Sequence, residues 1–430
     1  MKSSQGMSRQ DARTLSLAAL GGALEFYDFI IFVYFATVVG ALFFPPELPD
    51  WMKQLQTFGV FAAGYLARPL GGIVMAHFGD RLGRKRMFTF SILLMALSTL
   101  GMGLLPTYAN IGLAAPILLL LLRVLQGAAI GGEVPGAWVF VSEHVPANRI
   151  GLACGTVTAG LTLGILMGSL MATGLNLIFP PQEVLDWAWR IPFLAGGVFG
   201  LFSVYLRRWL EETPVFRSLQ QRKALSAEMP LRIVARDHRA GIVLSMVLTG
   251  LLSAGIIVIV LMTPSILQQF YGFTPAVALQ ANSVATLFLT IGCVLAGYSI
   301  DRLGGGRFFV LASPLLGGTA FLLFTGVAAN PSWLYPLSAL SGLSVGIVGA
   351  VPFVMVQAFP AAIRFTGLSF SYNVAYAVFG GLTPIAVTLL LQLSPLAPAY
   401  YVMVFSAAGF GVGLFLLSRK DHAPQAHGHR

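Results

Sequence analysis

Gly79-Asp80-Arg81-Leu82-Gly83-Arg84-Lys85-Arg86 is a short basic turn between two long apolar runs, and the chain repeats it as Ile300-Asp301-Arg302-Leu303-Gly304-Gly305-Gly306-Arg307. The two aspartates stand 221 residues apart. A second echo follows each turn: Pro146, Arg149 and Gly151 recur as Pro360, Arg364 and Gly367, at offsets of 214 to 216 residues. One structural unit therefore occurs twice, in parallel orientation.

Working outward from the two turns, apolar runs of about 18 or more residues recur along the chain, each able to cross a hydrocarbon core of roughly 30 Å at about 1.5 Å per residue. We count twelve. The first six lie near Leu15–Leu42, Leu55–Phe78, Met87–Leu105, Ile111–Val139, Ile150–Phe179 and Ile191–Trp209. The second six lie near Gly241–Leu267, Val277–Ile300, Phe308–Ala329, Trp333–Ala358, Phe365–Leu393 and Ala399–Leu417. Composition agrees: of 430 residues, 57% are hydrophobic and 10% charged, against roughly 45–50% and about 25% in soluble domains. The expected fold is an all-α membrane protein, twelve transmembrane helices in two six-helix halves. Residues 1–209 form the first half, 210–240 a charged cytoplasmic linker, 241–418 the second half and 419–430 a tail.

A net charge of +10 raises the possibility of nucleic-acid binding, but the basic residues are sorted by loop. The loops that would share one compartment hold 22 of the 26 Lys and Arg, while the opposite loops hold only Lys53 and Arg190. This is the positive-inside pattern, and it predicts both termini in the cytoplasm; the expected location of such a multi-pass protein is a bacterial inner membrane. Trp187 and Trp189 fall where an outer aromatic belt is expected. The first run is too long for a signal-peptide core and holds two acids, so it is read as retained. Cys154 and Cys293 lie inside runs in opposite halves and suggest no disulfide framework.

Five ionisable residues lie deep in the spans: Glu25, Asp28, Arg68, Arg123 and Glu133. Each charge at a helix centre costs about 2.5 to 3.5 kcal/mol on insertion scales, so these must be paired, hydrated or protonated. Counting from the loops puts Asp28 about 20 Å and Arg123 about 18 Å along their helices, near the midplane. Glu25, Arg68 and Glu133 form a second layer, about 15 to 17 Å from the cytoplasmic ends. Two pairings are expected. Asp28 would hold Arg123 across spans one and four until a proton releases it, the alternative being a permanent pair that pins the helices. Arg68 would be held by Glu133 or Glu25, either as a pair that breaks as the halves rock or as a static brace. All five are thus candidates for proton coupling. The second half has no charge in any span, so its share of a solute site falls to neutral groups, foremost Tyr372, Asn373 and Tyr376 of span eleven. A buried formal charge of −1 favours a monocarboxylate, another organic acid of modest charge or a zwitterion over a trianion.

Beyond the basic turn, several stretches carry a family resemblance. They are Leu24-Glu25-Phe26-Tyr27-Asp28-Phe29, Ala67-Arg68-Pro69-Leu70-Gly71-Gly72, Gln126-Gly127 with Gly131-Gly132-Glu133, Trp189-Arg190-Ile191-Pro192-Phe193, and Leu210-Glu211-Glu212-Thr213-Pro214-Val215-Phe216. Together they resemble the major facilitator superfamily and, within it, the metabolite:proton symporters. The turn departs from the superfamily signature at Ala76, where a glycine is usual, and its second copy has Gly305 and Gly306 where basic residues are usual. The resemblance implies alternating access, with an aspartate and an arginine in spans one and four coupling a proton, and with Arg123 and Tyr27 among the solute contacts. It also implies a cytoplasmic latch at Asp80, Arg81, Gly83 and Arg84, for which Glu143 and Arg149 are partners. Protons and a small-molecule solute are the expected partners, in a monomer within the bilayer, with no cofactor or metal beyond the proton gradient. A proton-driven exporter of drugs or amphiphiles is the alternative, and the glycine-proline signature of such antiporters is absent from span five, where Gly160, Gly164 and Gly168 stand at four-residue spacing. A membrane solute sensor is the remote alternative. No nucleophile motif, phosphate loop or His/Cys cluster points to an enzyme.

Overall fold

A peptide group in hydrocarbon has no water to bond, so each apolar run must satisfy its own backbone as a helix. The computed structural model describes residues 9–82, 84–131, 133–206, 230–360 and 363–421, with the side chains of all these except 9–14, 25, 73–89, 206, 230, 232 and 419–421. Among these residues every ordered element is helical. Joining consecutive pieces gives twelve spans, as the sequence requires.

Span one is Arg9–Tyr34 continued by Ala36–Phe43, span two Asp50–Leu82, span three Arg84–Leu104, span four Ala114–Ile130 with Glu133–His144, span five Ile150–Ile178 and span six Arg190–Leu206. Span seven runs through Arg239–Ser253, Ala254–Met262 and Thr263–Phe270; span eight is Pro275–Leu303 and span nine Gly305–Ala329. Span ten comprises Leu334–Val345, Gly346–Ala350 and Val351–Gln357, span eleven Arg364–Ala375, Tyr376–Gly380 and Gly381–Leu391, and span twelve Ala397–Asp421. Most of the expected linker and the end of the tail lie outside the described residues.

Within the first half, span one packs on spans five and six, span two on four, and three on six; within the second, eight packs on ten, nine on twelve and seven on eleven. Gly164 shows why small residues line these contacts: a Cβ there would stand 2.2 Å from the Ala23 carbonyl of span one, a distance no larger residue allows. The halves meet along two seams, spans five against eight and spans two against eleven.

The first seam is backbone-close. A Cβ at Gly155 would lie 2.6 Å from the Cys293 carbonyl and 2.9 Å from Gly297 Cα. Hydroxyl pairs continue it, Thr162 with Thr290 at 3.0 Å and Ser169 with Ser283 at 2.8 Å, and Asn282 donates to the Tyr34 hydroxyl at 3.0 Å. At the end carrying the basic loops, the Gly151 and Leu152 amides donate to the two Asp301 carboxylate oxygens at 2.7 and 2.8 Å. An anion thus caps the positive end of the span-five helix. The second seam is aromatic: Tyr65 stacks on Tyr376 at 5.1 Å with planes 18° apart. One expectation about the outer belt is corrected here. Trp187 is exposed, but Trp189 is buried against Phe43 and Phe193 and lies under Arg190, which reaches the Gly103 and Leu105 carbonyls.

Candidate substrate and proton site

Arg68 lies on span two three residues after Tyr65, on the same helical face, and next to Pro69, which has no N–H for the preceding turn. Its side chain points to the aromatic seam and is fully buried. The guanidinium carbon is 5.3 Å from the Tyr65 ring centre, 5.5 Å from Tyr372, 5.0 Å from Tyr376 and 6.0 Å from Phe29. Four ring faces from three spans therefore surround one cation. Such contacts are worth about 0.5 to 2 kcal/mol each, but they accept none of its directed hydrogen bonds. None of its three nitrogens has a hydrogen-bond partner among the described residues. Each unmet buried donor costs about 1 to 3 kcal/mol, more when charged, so Arg68 is primed for an acceptor.

Arg123 on span four is equally buried and within electrostatic reach of Arg68. Its guanidinium carbon lies 4.0 Å from the Phe29 ring, 4.8 Å from Phe32 and 5.0 Å from Phe61. Nη1 donates to the Phe29 carbonyl at 2.9 Å and to Gln126 Oε1, while Nε and Nη2 have no hydrogen-bond partner among the described residues. Gln126 then donates through Nε2 to the Asp28 carbonyl at 3.0 Å and to Thr99 Oγ1 at 2.8 Å.

This corrects the expected direct pair of Asp28 with Arg123. The Asp28 carboxylate turns the other way, towards span six: a Cβ at Gly196 would stand 2.6 Å from Oδ1, and one at Gly200 2.9 Å from Oδ2. Two glycines one turn apart make a notch for it. Tyr27 also turns to span six, donating to the Pro192 carbonyl at 3.0 Å with its ring edge on Phe199. It is thus away from the aromatic seam where a solute contact was expected. The physical reason is helical: residues 27 and 28 face the inside of their own half, and residue 29 faces the other arginine-bearing helices.

The expected brace of Arg68 by Glu133 is corrected as well. Glu133 is buried and accepts from Ser91 Oγ of span three at 2.8 Å, while Arg68 points into the rings; the Glu25 side chain lies outside the description. In the second half, Asn373 donates to the Gly131 carbonyl of span four, Tyr372 meets the edge of Trp138 at 5.1 Å, and Tyr376 starts a π-helical turn, a feature that recurs at functional sites. The structure thus brings Tyr372, Asn373 and Tyr376 against the first half. Gly83 and the side chains of Asp80, Arg81 and Arg84 fall outside the description. Glu143 pairs with Arg364 of the second half at 3.5 Å, and Arg149 is an electrostatic neighbour of Asp301.

Residues 29–384 match the sequence profile described as Major Facilitator Superfamily. The chain belongs to that superfamily. Among its relatives, a putative proline/betaine transporter of Staphylococcus aureus (strain COL) is 32% identical over 425 residues, covering 95% of this chain and 89% of that protein. The citrate-proton symporter of Klebsiella pneumoniae is 30% identical over 410 residues, covering 94% and 91%. Among solved structures, the proton:xylose symporter bound to 6-bromo-6-deoxy-D-glucose superposes with a TM-score of 0.75 over 96% of each chain at 16% identity, a likeness of fold. A multi-pass membrane transporter of the superfamily is therefore what this architecture is, and the site is read within that frame.

Sequence reasoning missed Tyr65, Phe29, Phe61, Gln126 and the Gly196/Gly200 notch as parts of this candidate site. Tyr65 was within reach, since it stands one helical turn before Arg68. The notch was not, because spans one and six are distant in sequence and a glycine pair has no chemistry to announce it.

Proposed function

We propose that the protein is a proton-coupled symporter of a small carboxylate-bearing metabolite, working by alternating access in a bacterial inner membrane with both termini cytoplasmic. One observation supports this above the rest. Arg68 reaches the junction of the halves with its guanidinium donors unmet among the described residues, and Arg123 stands within electrostatic reach of it with two donors unmet, while Asp28 and Glu133 are turned to spans six and three. A carboxylate between Arg68 and Arg123 would meet those donors in a fork geometry that a lysine lacks. The rings of Tyr65, Tyr372 and Tyr376 would cover the rest of an organic acid or a zwitterion, and Asp28 would carry the proton. The named activities of the relatives, with proline, betaines and citrate, all involve carboxylates. The imposed proton gradient drives accumulation, and no cofactor takes part.

The test is uptake into proteoliposomes under an imposed pH gradient, with proline, glycine betaine, citrate and a panel of mono- and dicarboxylates. At least one carboxylate is expected to accumulate, with alkalinisation of the outer medium on its addition. Accumulation should vanish in Asp28→Asn while solute exchange continues. Acidification of the outer medium, or uptake confined to solutes without a carboxylate, sinks the reading.

A further inference from the structure

The proton-carrying and solute-binding groups of the proposed symporter do not touch in this structure, yet one residue bridges them. We propose that Gln126 is the positioning residue that couples the two sites, an inference that rests on the functional reading above. Its amide is used at both ends: Oε1 accepts from Arg123 Nη1, and Nε2 donates to the Asp28 carbonyl at 3.0 Å and to Thr99 Oγ1 at 2.8 Å. That arrangement fixes which way the amide points, because a carbonyl can only accept and a guanidinium can only donate. The residue is fully buried and three positions after Arg123, on the same face of span four.

Span one is the other half of the device. Asp28 and Phe29 are consecutive, so their side chains leave the helix about 100° apart. Asp28 lodges between Gly196 and Gly200 of span six and beside Ala96 and Thr99 of span three, and the Phe29 carbonyl receives Arg123. Among the described side chains, Tyr27 on span one and Arg123 on span four are the ionisable groups around this turn. Gaining or losing a proton at Asp28 changes the charge in the notch and shifts that turn of span one. Gln126 grips the same turn at the Asp28 carbonyl and passes the shift to the guanidinium. Without Gln126, Arg123 keeps its bond to Phe29 but loses its link to the peptide of the proton-bearing residue and to span three.

The experiment uses the full chain in proteoliposomes and whichever carboxylate the unmodified protein accumulates. Accumulation driven by a pH gradient is compared with solute exchange at equal pH on both sides. Gln126→Glu keeps the shape of the side chain and, ionised beside the Arg123 guanidinium, has no proton to donate to the Asp28 carbonyl, and Gln126→Leu removes both contacts. Each is expected to lower the accumulation ratio about tenfold, the scale of one hydrogen bond to a charged group, with exchange falling no more than about threefold. Thr99→Val, which removes one acceptor of the Gln126 amide and leaves its bonds to Arg123 and the Asp28 carbonyl, should move the ratio in the same direction by about two- to threefold. Accumulation that survives both Gln126 variants overturns the inference and leaves the symport reading standing. So does a parallel loss of accumulation and exchange in well-folded Gln126→Glu, which would mark a purely structural role. An unmodified protein that accumulates no carboxylate with protons overturns the functional reading itself, and this inference with it.

Discussion

Spans five and eight meet across the halves, and so do spans two and eleven; under the internal repeat, which relates two to eight and five to eleven, these seams are counterparts. They share geometry and differ in material. The five/eight seam is built of glycine and hydroxyl groups, with backbones nearly touching at Gly155 and Gly297, paired hydroxyls, and an aspartate capping the start of span five. The two/eleven seam is built of rings around Arg68. Backbone-close packing has one good arrangement and loses contact abruptly when separated. Stacked rings slide at lower cost, and an arginine with unmet donors gains a partner when a carboxylate enters. The difference teaches that a duplicated fold can assign cohesion to one seam and chemistry to the other.

The strongest way to break this comparison is Gly155→Val. Its side chain would collide with backbone in span eight, and the loss should reach or exceed the ~1–3 kcal/mol usual for overpacking, seen as loss of the monodisperse peak in size-exclusion chromatography. Normal behaviour of that variant would show that close backbones do not hold the seam. Arg68→Met is expected to act in opposite directions on two measurements. Proton-driven uptake of carboxylates should fall by at least about thirtyfold, while thermal stability of the solute-free protein holds or rises by about 1 to 3 kcal/mol, because an unmet buried charge is removed. A stability loss would instead make Arg68 a brace. Asp301→Ala removes the anion at the start of span five and should cost about 0.5 to 2 kcal/mol; its thermal midpoint should depend less on salt than that of the parent. The smallest change is Ser283→Ala, about 0.5 to 1.5 kcal/mol from one hydroxyl pair, with uptake unaltered. A larger effect on uptake than on melting would move Ser283 from cohesion to chemistry.

The twelve spans, the two halves and the buried charges were legible because each is a local property: apolar run length, an echoed turn, or a charge where none is cheap. Asp301 was marked by its echo of Asp80, and its partners on span five follow from the fold. Side-chain direction was not legible. Depth counting put Asp28 and Arg123 in one layer, but a layer holds every direction around a helix, and the notch in span six drew the carboxylate to the far side. The same blindness hid the ring cage of Arg68, since two of its four rings, Tyr372 and Tyr376, come from span eleven and meet it only when that span is laid against span two.

Trp138 gives the junction of the halves an optical property. Its indole sits edge-on to Tyr372 across the junction of the halves, with its N–H given to Thr158 of its own half at 3.1 Å. Any movement that parts the halves at that point strips the tyrosine from the indole and lets water take its place. The emission of this one tryptophan is therefore a built-in reporter of opening, readable without a dye in a variant whose five other tryptophans are phenylalanine.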